Sequence, residues 1–284
     1  MHLHRVKSSA VRLLAALSLA ALLAPVAARA EFGTTNFQLL QGFNFNDNLL
    51  GYNTAGGGMT TVTVNHFSTW GYGDNFAFVD FYRGKFLDAF DLKTGNRSLS
   101  YAEWHPRLFL NKLGAPTGGF VKNWGLAGEI NASNGFYALL AGVGLDLAIP
   151  GFQVAGLNVY YRDAFVQAAP AQYTNTWQIS PFWNVPFKVG PTSWDFSGFV
   201  DITTDHDKKI DILAQPELLL DVGAFMGAPG KFHVGTEIYI HRYENLNVPS
   251  AFTPAGGTLL SGGTKTVIAP QIMIQWTPYT QFVP

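Results

Sequence analysis

The chain has 284 residues, 18 basic against 19 acidic side chains and no cysteine, which excludes disulfide frameworks, thiolate catalysis and cysteine-bound metals. Charged residues make up 13% of the sequence and aromatic ones 14%, a combination that leaves a water-soluble protein of this length short of polar surface. No basic excess exists to neutralise phosphates, so a nucleic acid polymer is a poor partner.

In chain order, Arg5, Lys7 and Arg12 come first, then the apolar run from Leu13 to Val26, then Ala28-Arg29-Ala30. That sequence of basic head, short apolar middle and small-residue exit reads as a secretory signal, residues 1–30, cleaved after Ala30. The run falls short of the roughly 20 residues a spanning helix needs. Cleavage removes Arg5, Lys7, Arg12 and Arg29 and no acid, leaving 14 basic against 19 acidic side chains from Glu31 to Pro284. No linker divides this stretch, so it is read as one domain.

Beyond Ala30, Gly, Pro, Asn or a charge interrupts every apolar stretch, so a membrane crossing must be made by strands. In a barrel wall successive side chains face lipid and lumen in turn. Less regular strands are expected near Phe37 to Phe45, Thr61 to Phe67 and Asn75 to Tyr82. From Tyr101 onward the alternation sharpens: Tyr101, Glu103, His105, Arg107 and Asn111 share one face, and Ala102, Trp104, Pro106, Leu108 and Leu110 the other. A strand near Val121 to Asn131 precedes Phe136 to Ile149, where Tyr137, Leu139, Ala141, Val143, Leu145, Leu147 and Ile149 oppose Ala138, Gly142, Gly144 and Asp146. Further strands are expected near Gln153 to Phe165 and Tyr173 to Val185. Trp194, Phe196, Val200 and Ile202 then oppose Asp195, Ser197, Asp201 and Thr203. Ile210, Ile212, Pro216, Leu218, Leu220 and Val222 oppose Asp211, Gln215, Glu217 and Asp221. Phe232, Val234, Ile238 and Ile240 oppose His233, Glu237, Tyr239, His241 and Tyr243. Last, Ile268, Pro270, Ile272, Ile274 and Trp276 oppose Val267, Gln271, Met273 and Gln275.

The expected fold is therefore all-β, a transmembrane antiparallel β-barrel of about 12 strands, an even number as single-chain bacterial barrels have. Pro106, Pro181, Pro216 and Pro270 fall inside strands, where proline cannot donate to a ladder, and are read as bulges or sites near strand ends. Longer connections at Asn46 to Gly58, Arg83 to Ser98 and Glu244 to Gly263 alternate with tighter ones at Gly71 to Asp74, Pro150-Gly151 and Gly227 to Gly230. Long loops belong outside, which puts Glu31 and Pro284 on the periplasmic side. Trp70, Tyr72, Trp124, Trp177, Trp183, Trp194 and Trp276 are the candidates for interfacial aromatic girdles.

The segment Trp70-Gly71-Tyr72-Gly73-Asp74-Asn75-Phe76-Ala77-Phe78-Val79-Asp80-Phe81 resembles the signature of the nucleoside-specific channel-forming outer-membrane porins, the Tsx-like family. Weaker similarity lies in Glu103-Trp104-His105-Pro106-Arg107-Leu108, in Gly142 to Asp146 and in Gly230 to Glu237. The resemblance implies a monomeric barrel of 12 strands in the bacterial outer membrane, among its lipid and lipopolysaccharide, whose narrow lumen passes nucleosides or similar small polar solutes without a cofactor. The chain departs from the usual outer-membrane ending, running past Trp276 to Phe282-Val283-Pro284 instead of closing on an aromatic residue.

The inward faces supply the candidate lumen-lining residues: Tyr101, Glu103, His105, Arg107, Glu129, Asp146, Tyr160, Arg162, Asp195, Asp201, Glu217, Glu237 and Tyr239, with Asp211 beside them. They carry both signs, which suits a dipolar solute, and their tyrosines can stack on a flat base. Glu103, His105 and Arg107 in one row are the expected constriction. A different class of function comes from His66-Phe67-Ser68, which resembles the His-x-Ser pattern of barrel lipid A deacylases, with Asp80 as the acid. It lies next to a short turn on the expected periplasmic rim, away from a substrate of the outer leaflet. No metal site is expected, because the histidines after Ala30 show no mutual ligand spacing.

Overall fold

The computed structural model describes residues 31–47, 50–87, 94–133, 136–166, 175–204, 209–244 and 264–282. The expected signal segment, residues 1–30, therefore lies outside the described residues. The strands are β1 (Phe32–Gly42), β2 (Asn46–Asp47), β3 (Tyr52–Trp70), β4 (Gly73–Leu87), β5 (Thr94–Phe109), β6 (Val121–Ser133), β7 (Phe136–Leu147), β8 (Val154–Val166), β9 (Thr176–Val189), β10 (Thr192–Thr204), β11 (Ile210–Ala214), β12 (Glu217–Asp221), β13 (Phe232–Glu244) and β14 (Thr264–Phe282). Short 3₁₀ turns at Leu110–Leu113 and Gly223–Met226 are the helical pieces among the described residues.

Each wall strand pairs antiparallel with the next, and β1 closes the ring by pairing with both β14 (Leu39↔Ile274) and β3 (Leu39↔Val62). Because β11 and β12 share one place between β10 and β13 and β2 pairs only with β3, the 14 strands make a closed barrel of 12 wall strands. Closure ties off every edge, the condition for sheet in hydrocarbon.

The side-chain period holds all the way round. Leu39, Val62, Phe81, Leu126, Val143, Val159, Ile268 and Ile272 point outward and are exposed, Ile272 to 59%. Gln38, Thr63, Asp74, Arg107, Glu129, Asn158, Gln178, Glu237 and Gln271 point inward and are buried. Polar inside and apolar outside is the inverse of a soluble protein and fits a wall between lipid and water. Phe37 stacks on Trp276 at 5.8 Å and Phe187 on Trp194 at 6.5 Å on this outer face. Trp183 departs from the girdle expectation: it pairs with Gly198 in the body of β9, where its indole leans over the missing Cβ and meets Phe196 at 5.6 Å.

The prolines form no bulges: Pro106 lies near the end of β5 and Pro216 between β11 and β12, as the strand-end reading expects, whereas Pro181 and Pro270 sit inside β9 and β14. Register shifts occur at Thr35/Phe37, Thr54/Met59 and Val121/Asn123, none of them at a proline. Pro106, Pro181, Pro216 and Pro270 all face outward. Pro106 keeps its pairing with Asn75 and Pro181 with Leu157, while each loses the ladder on its other side. Pro216 separates β11 from β12 although both keep one register against β13, since the missing N–H removes a bond without shifting the chain.

Strands also reach further than expected. β4 runs to Leu87 and β14 to Phe282, so much of what reads as long loop is wall. The opposite holds after β1, which ends at Gly42: residues 43–47 turn into the barrel, burying Phe45 and Asp47.

Candidate functional site

The inner wall carries four connected groups of side chains. Toward the end of the barrel that holds the tight connection between β3 and β4, Arg107 of β5 grips Asp74 of β4 through Nε (2.8 Å) and Nη2 (2.5 Å) and donates from Nη1 to Asp146 of β7 (2.8 Å). Asn123 donates to the other Asp146 oxygen at 2.8 Å. The guanidinium also lies 5.0 Å from the Phe109 ring and 5.1 Å from Phe182, which reaches from β9 across β8 and β7. That reach needs the small inward residues of β7 and β8. A Cβ on Gly144 would meet Asn158 Oδ1 at 2.6 Å and one on Gly156 would strike the Phe182 ring.

The second group lies further along the same strands. Tyr101 donates to Glu103, and His105 Nε2 stands 2.7 Å from Glu103 Oε2 while its Nδ1 stands 3.4 Å from Glu129 Oε2. Across the lumen, the Gln178 amide reaches both Glu129 oxygens at 3.4 Å, Ser180 Oγ at 3.0 Å and Asp201 Oδ1 at 3.2 Å. Ser180 donates to Asp201 at 2.6 Å. Strands β5, β6, β9 and β10 are thus joined by polar side chains inside the barrel.

The third group pairs two acids: Glu217 and Glu237 are cross-strand partners, with Ser197 donating to Glu217 at 3.1 Å and Gln271 to Glu237 at 2.5 Å. The fourth sits toward the opposite end of the barrel from the first. His241 of β13 is held between Asp47, to which it is hydrogen-bonded, and Asp211, 2.8 Å from Nε2. Tyr239 donates to Asp47 at 2.5 Å, and Asn44 Nδ2 donates to the Ile268 carbonyl at 2.8 Å. Phe45 completes this strap by packing among Met59, Tyr82, Phe86, Tyr239 and Tyr243. Burial alone would raise the Asp47 carboxyl; the hydrogen bonds and charge of His241, with Tyr239 and the Leu50 amide, outweigh it and hold the group below its ordinary range.

All the sequence-predicted lumen residues face inward. Tyr101, Glu103, His105 and Glu129 come together; Arg107 and Asp146 meet each other; Asp201 joins Glu129 through Gln178; Glu217 meets Glu237; Tyr239 holds the strap. Asp195 stands 3.7 Å from His233. The Tyr160 hydroxyl and Arg162 Nε are buried without a hydrogen-bond partner. Asp74, Gln178 and Asp47 were not among the expected residues. Asp74 begins a strand whose inward face carries Phe76, Phe78 and Tyr82 between and beyond its two acids, Asp74 and Asp80, so alternation gives only a weak signal there. The balance of charge also differs from a mixed-sign lining, because Asp80, Glu103, Glu129, Asp201, Glu217 and Glu237 share the mid-section with Arg162 and His105.

His66, Ser68 and Asp80 do not assemble. His66 faces outward, where its Nδ1 bonds Thr35 Oγ1 at 2.9 Å, and Ser68 lies on the same outer face. Asp80 faces the lumen, accepting from Thr63 (2.5 Å) and Tyr82 (2.7 Å) on the other side of the sheet. The wall separates the acid from the other two.

No family model matches the chain, and no curated protein matches it in sequence. In structure it is similar to a bacterial polysaccharide outer membrane secretin, at 6% identity and a TM-score of 0.40 over 87% of this chain and 98% of that one. It is similar also to the outer membrane protein Omp33 of Acinetobacter baumannii, at 12% identity and a TM-score of 0.30 over 87% and 97% of the two chains. A third likeness is to the outer membrane protease OmpT of Escherichia coli, at 8% identity and a TM-score of 0.26 over 88% and 97%. Overlaps this loose transfer no function. The placement rests on the barrel itself: no helix among the described residues is long and apolar enough to cross a membrane, and a closed sheet with an apolar exterior is the other form that can. The chain is a β-barrel of the bacterial outer membrane.

Proposed function

We propose that this barrel is a monomeric channel through which nucleosides or similar small polar solutes cross the outer membrane by passive diffusion. The observation that carries the reading is a ladder of inward aromatic rings running alongside the carboxylates. Phe76 lies 5.9 Å from Phe78, Phe78 lies 6.0 Å from Tyr101, and Tyr101 lies 6.3 Å from Phe136. Phe76 is 36% exposed on this inner face. A flat base can pass from ring to ring, each stack worth about 1–3 kcal/mol, while its sugar hydroxyls donate to Glu103, Glu129 or Asp201. Successive weak sites of this kind hold a solute without trapping it.

The Tsx-like resemblance of Trp70 to Phe81 supports the same solute class, since it covers two of the rings in the ladder. The test is conductance of the refolded protein in planar bilayers with nucleosides added. We expect partial block by purine nucleosides, weaker block by ribose alone, and loss of the difference in Phe78→Ala. Conductance that ribose and adenosine reduce equally would leave a channel without base specificity, and absence of conductance would remove the channel.

A further inference from the structure

Four inward positions on two neighbouring strands form a square. On β5 they are Glu103 and His105, and on β6 they are Glu129 and Asn131, with Glu103 opposite Asn131 in the register and His105 Nδ1 3.4 Å from Glu129 Oε2 just beyond, where the ladder is interrupted. One ligand atom from each of Glu103, His105 and Glu129 can be chosen so that the three lie within 4.8 Å of one another. We propose that this square is a binding site for a divalent transition-metal cation, set into the wall of the lumen.

Charge argues for it first. Two carboxylates converge on one imidazole, and a third, Asp201, is tied to Glu129 through Gln178. A proton on His105 offsets one of those charges, whereas a divalent ion bound by neutral imidazole offsets both glutamates. The second argument is an oxygen with nothing to do. Asn131 is 5% exposed and its Oδ1 has no hydrogen-bond partner. A buried amide oxygen without a donor is costly, and beside two carboxylates a cation is the partner it can take.

The ligand chemistry narrows the ion. One imidazole with two carboxylates and an amide oxygen suits zinc or its first-row neighbours better than calcium, which takes oxygen alone, or magnesium, which keeps its water. Four protein ligands at about 2.0–2.2 Å would close a tetrahedral zinc site. The second ring nitrogen of His105 stays free to donate to a carboxylate oxygen, the orientation that metal-bound histidines usually have. Entry is from the lumen, because the His105 side chain keeps 19% of its surface while that of Glu129 keeps 1%.

The site lies inside the proposed channel but does not rest on that reading, because binding can be measured at equilibrium whether or not the barrel conducts. Zinc would be titrated calorimetrically into the refolded full barrel in detergent, with cobalt absorption reporting the ligand field. One zinc per chain is expected, weakened about tenfold or more in both His105→Gln and Glu129→Gln, and unchanged in His233→Gln. Heat-modifiable migration on an unboiled gel confirms that each variant is folded; should Glu129→Gln not fold, Asn131→Leu takes its place with the same expected direction. Absence of zinc binding, or binding that survives both the His105 and the Glu129 or Asn131 substitution, overturns the proposal. Zinc binding without conductance upholds it and removes the channel instead.

Discussion

Asp47 and His241 are 194 residues apart in the chain and hydrogen-bonded inside the barrel. The first belongs to the segment that follows β1, the second to the last wall strand but one. Their contact turns what could have been an outer loop into a strap that narrows the lumen, with Phe45 in the aromatic cluster as its second anchor.

Removing that anchor should widen the channel. In Asp47→Ala the strap loses its bonds to His241 and Tyr239, each worth about 0.5–1.5 kcal/mol and more where a charge is involved. Single-channel conductance in planar bilayers should rise above that of the unaltered protein. An unchanged conductance would mean that the strap does not lie on the conduction path.

Acid should not release the strap until the pH has fallen below the ordinary carboxylate value. The folded Asp47 carboxyl is held under its usual value of 3.8. A depressed folded pKa contributes stability that is present above 3.8 and lost as the pH falls through the lower folded value. Carbon NMR of the labelled Asp47 carboxyl should therefore show a midpoint below 3.8 in the folded barrel. A midpoint at or above it would contradict the His241 contact.

The Arg107 guanidinium holds three carboxylate oxygens of two acids at once. Arg107→Leu leaves Asp74 and Asp146 buried without their cation, which costs about 3–5 kcal/mol. Urea unfolding from lipid or detergent should show that loss. Arg107→Lys should recover less than half of it, because an ammonium cannot span both Asp74 oxygens and Asp146 at once.

Outside and inside should respond oppositely to charge. Ile272 faces outward near the centre of β14 and is 59% exposed. An arginine there costs about 2–4 kcal/mol at the bilayer midplane. The same substitution at inward Phe76 should cost less stability and alter ion selectivity instead. Equal destabilisation at the two positions, measured by reversible unfolding in lipid, would contradict the assignment of faces.

Much of this architecture could be read before any coordinates, and for a local reason. A strand shows its two faces in the order of its residues, so Glu103, His105 and Arg107 against Trp104, Pro106 and Leu108 state which side meets lipid without reference to any other strand. Composition argued against a soluble fold and, with no cysteine, excluded cysteine chemistry in the same way. The reading missed Asp74, where Phe76, Phe78 and Tyr82 blur the polar inward face, and it allowed bulges at prolines that the backbone accommodates without one.

What the sequence by itself determined is the pattern of inward and outward side chains, and with it the barrel. Only the closed ring decided which inward side chains meet. Arg107 finds Asp74 and Asp146, Glu129 finds Gln178, and Asp47 finds His241 because curvature, register and the small residues of β7 and β8 bring distant strands within reach across the lumen. Those distances are set by closure, which belongs to the whole sheet and leaves no mark in any one strand.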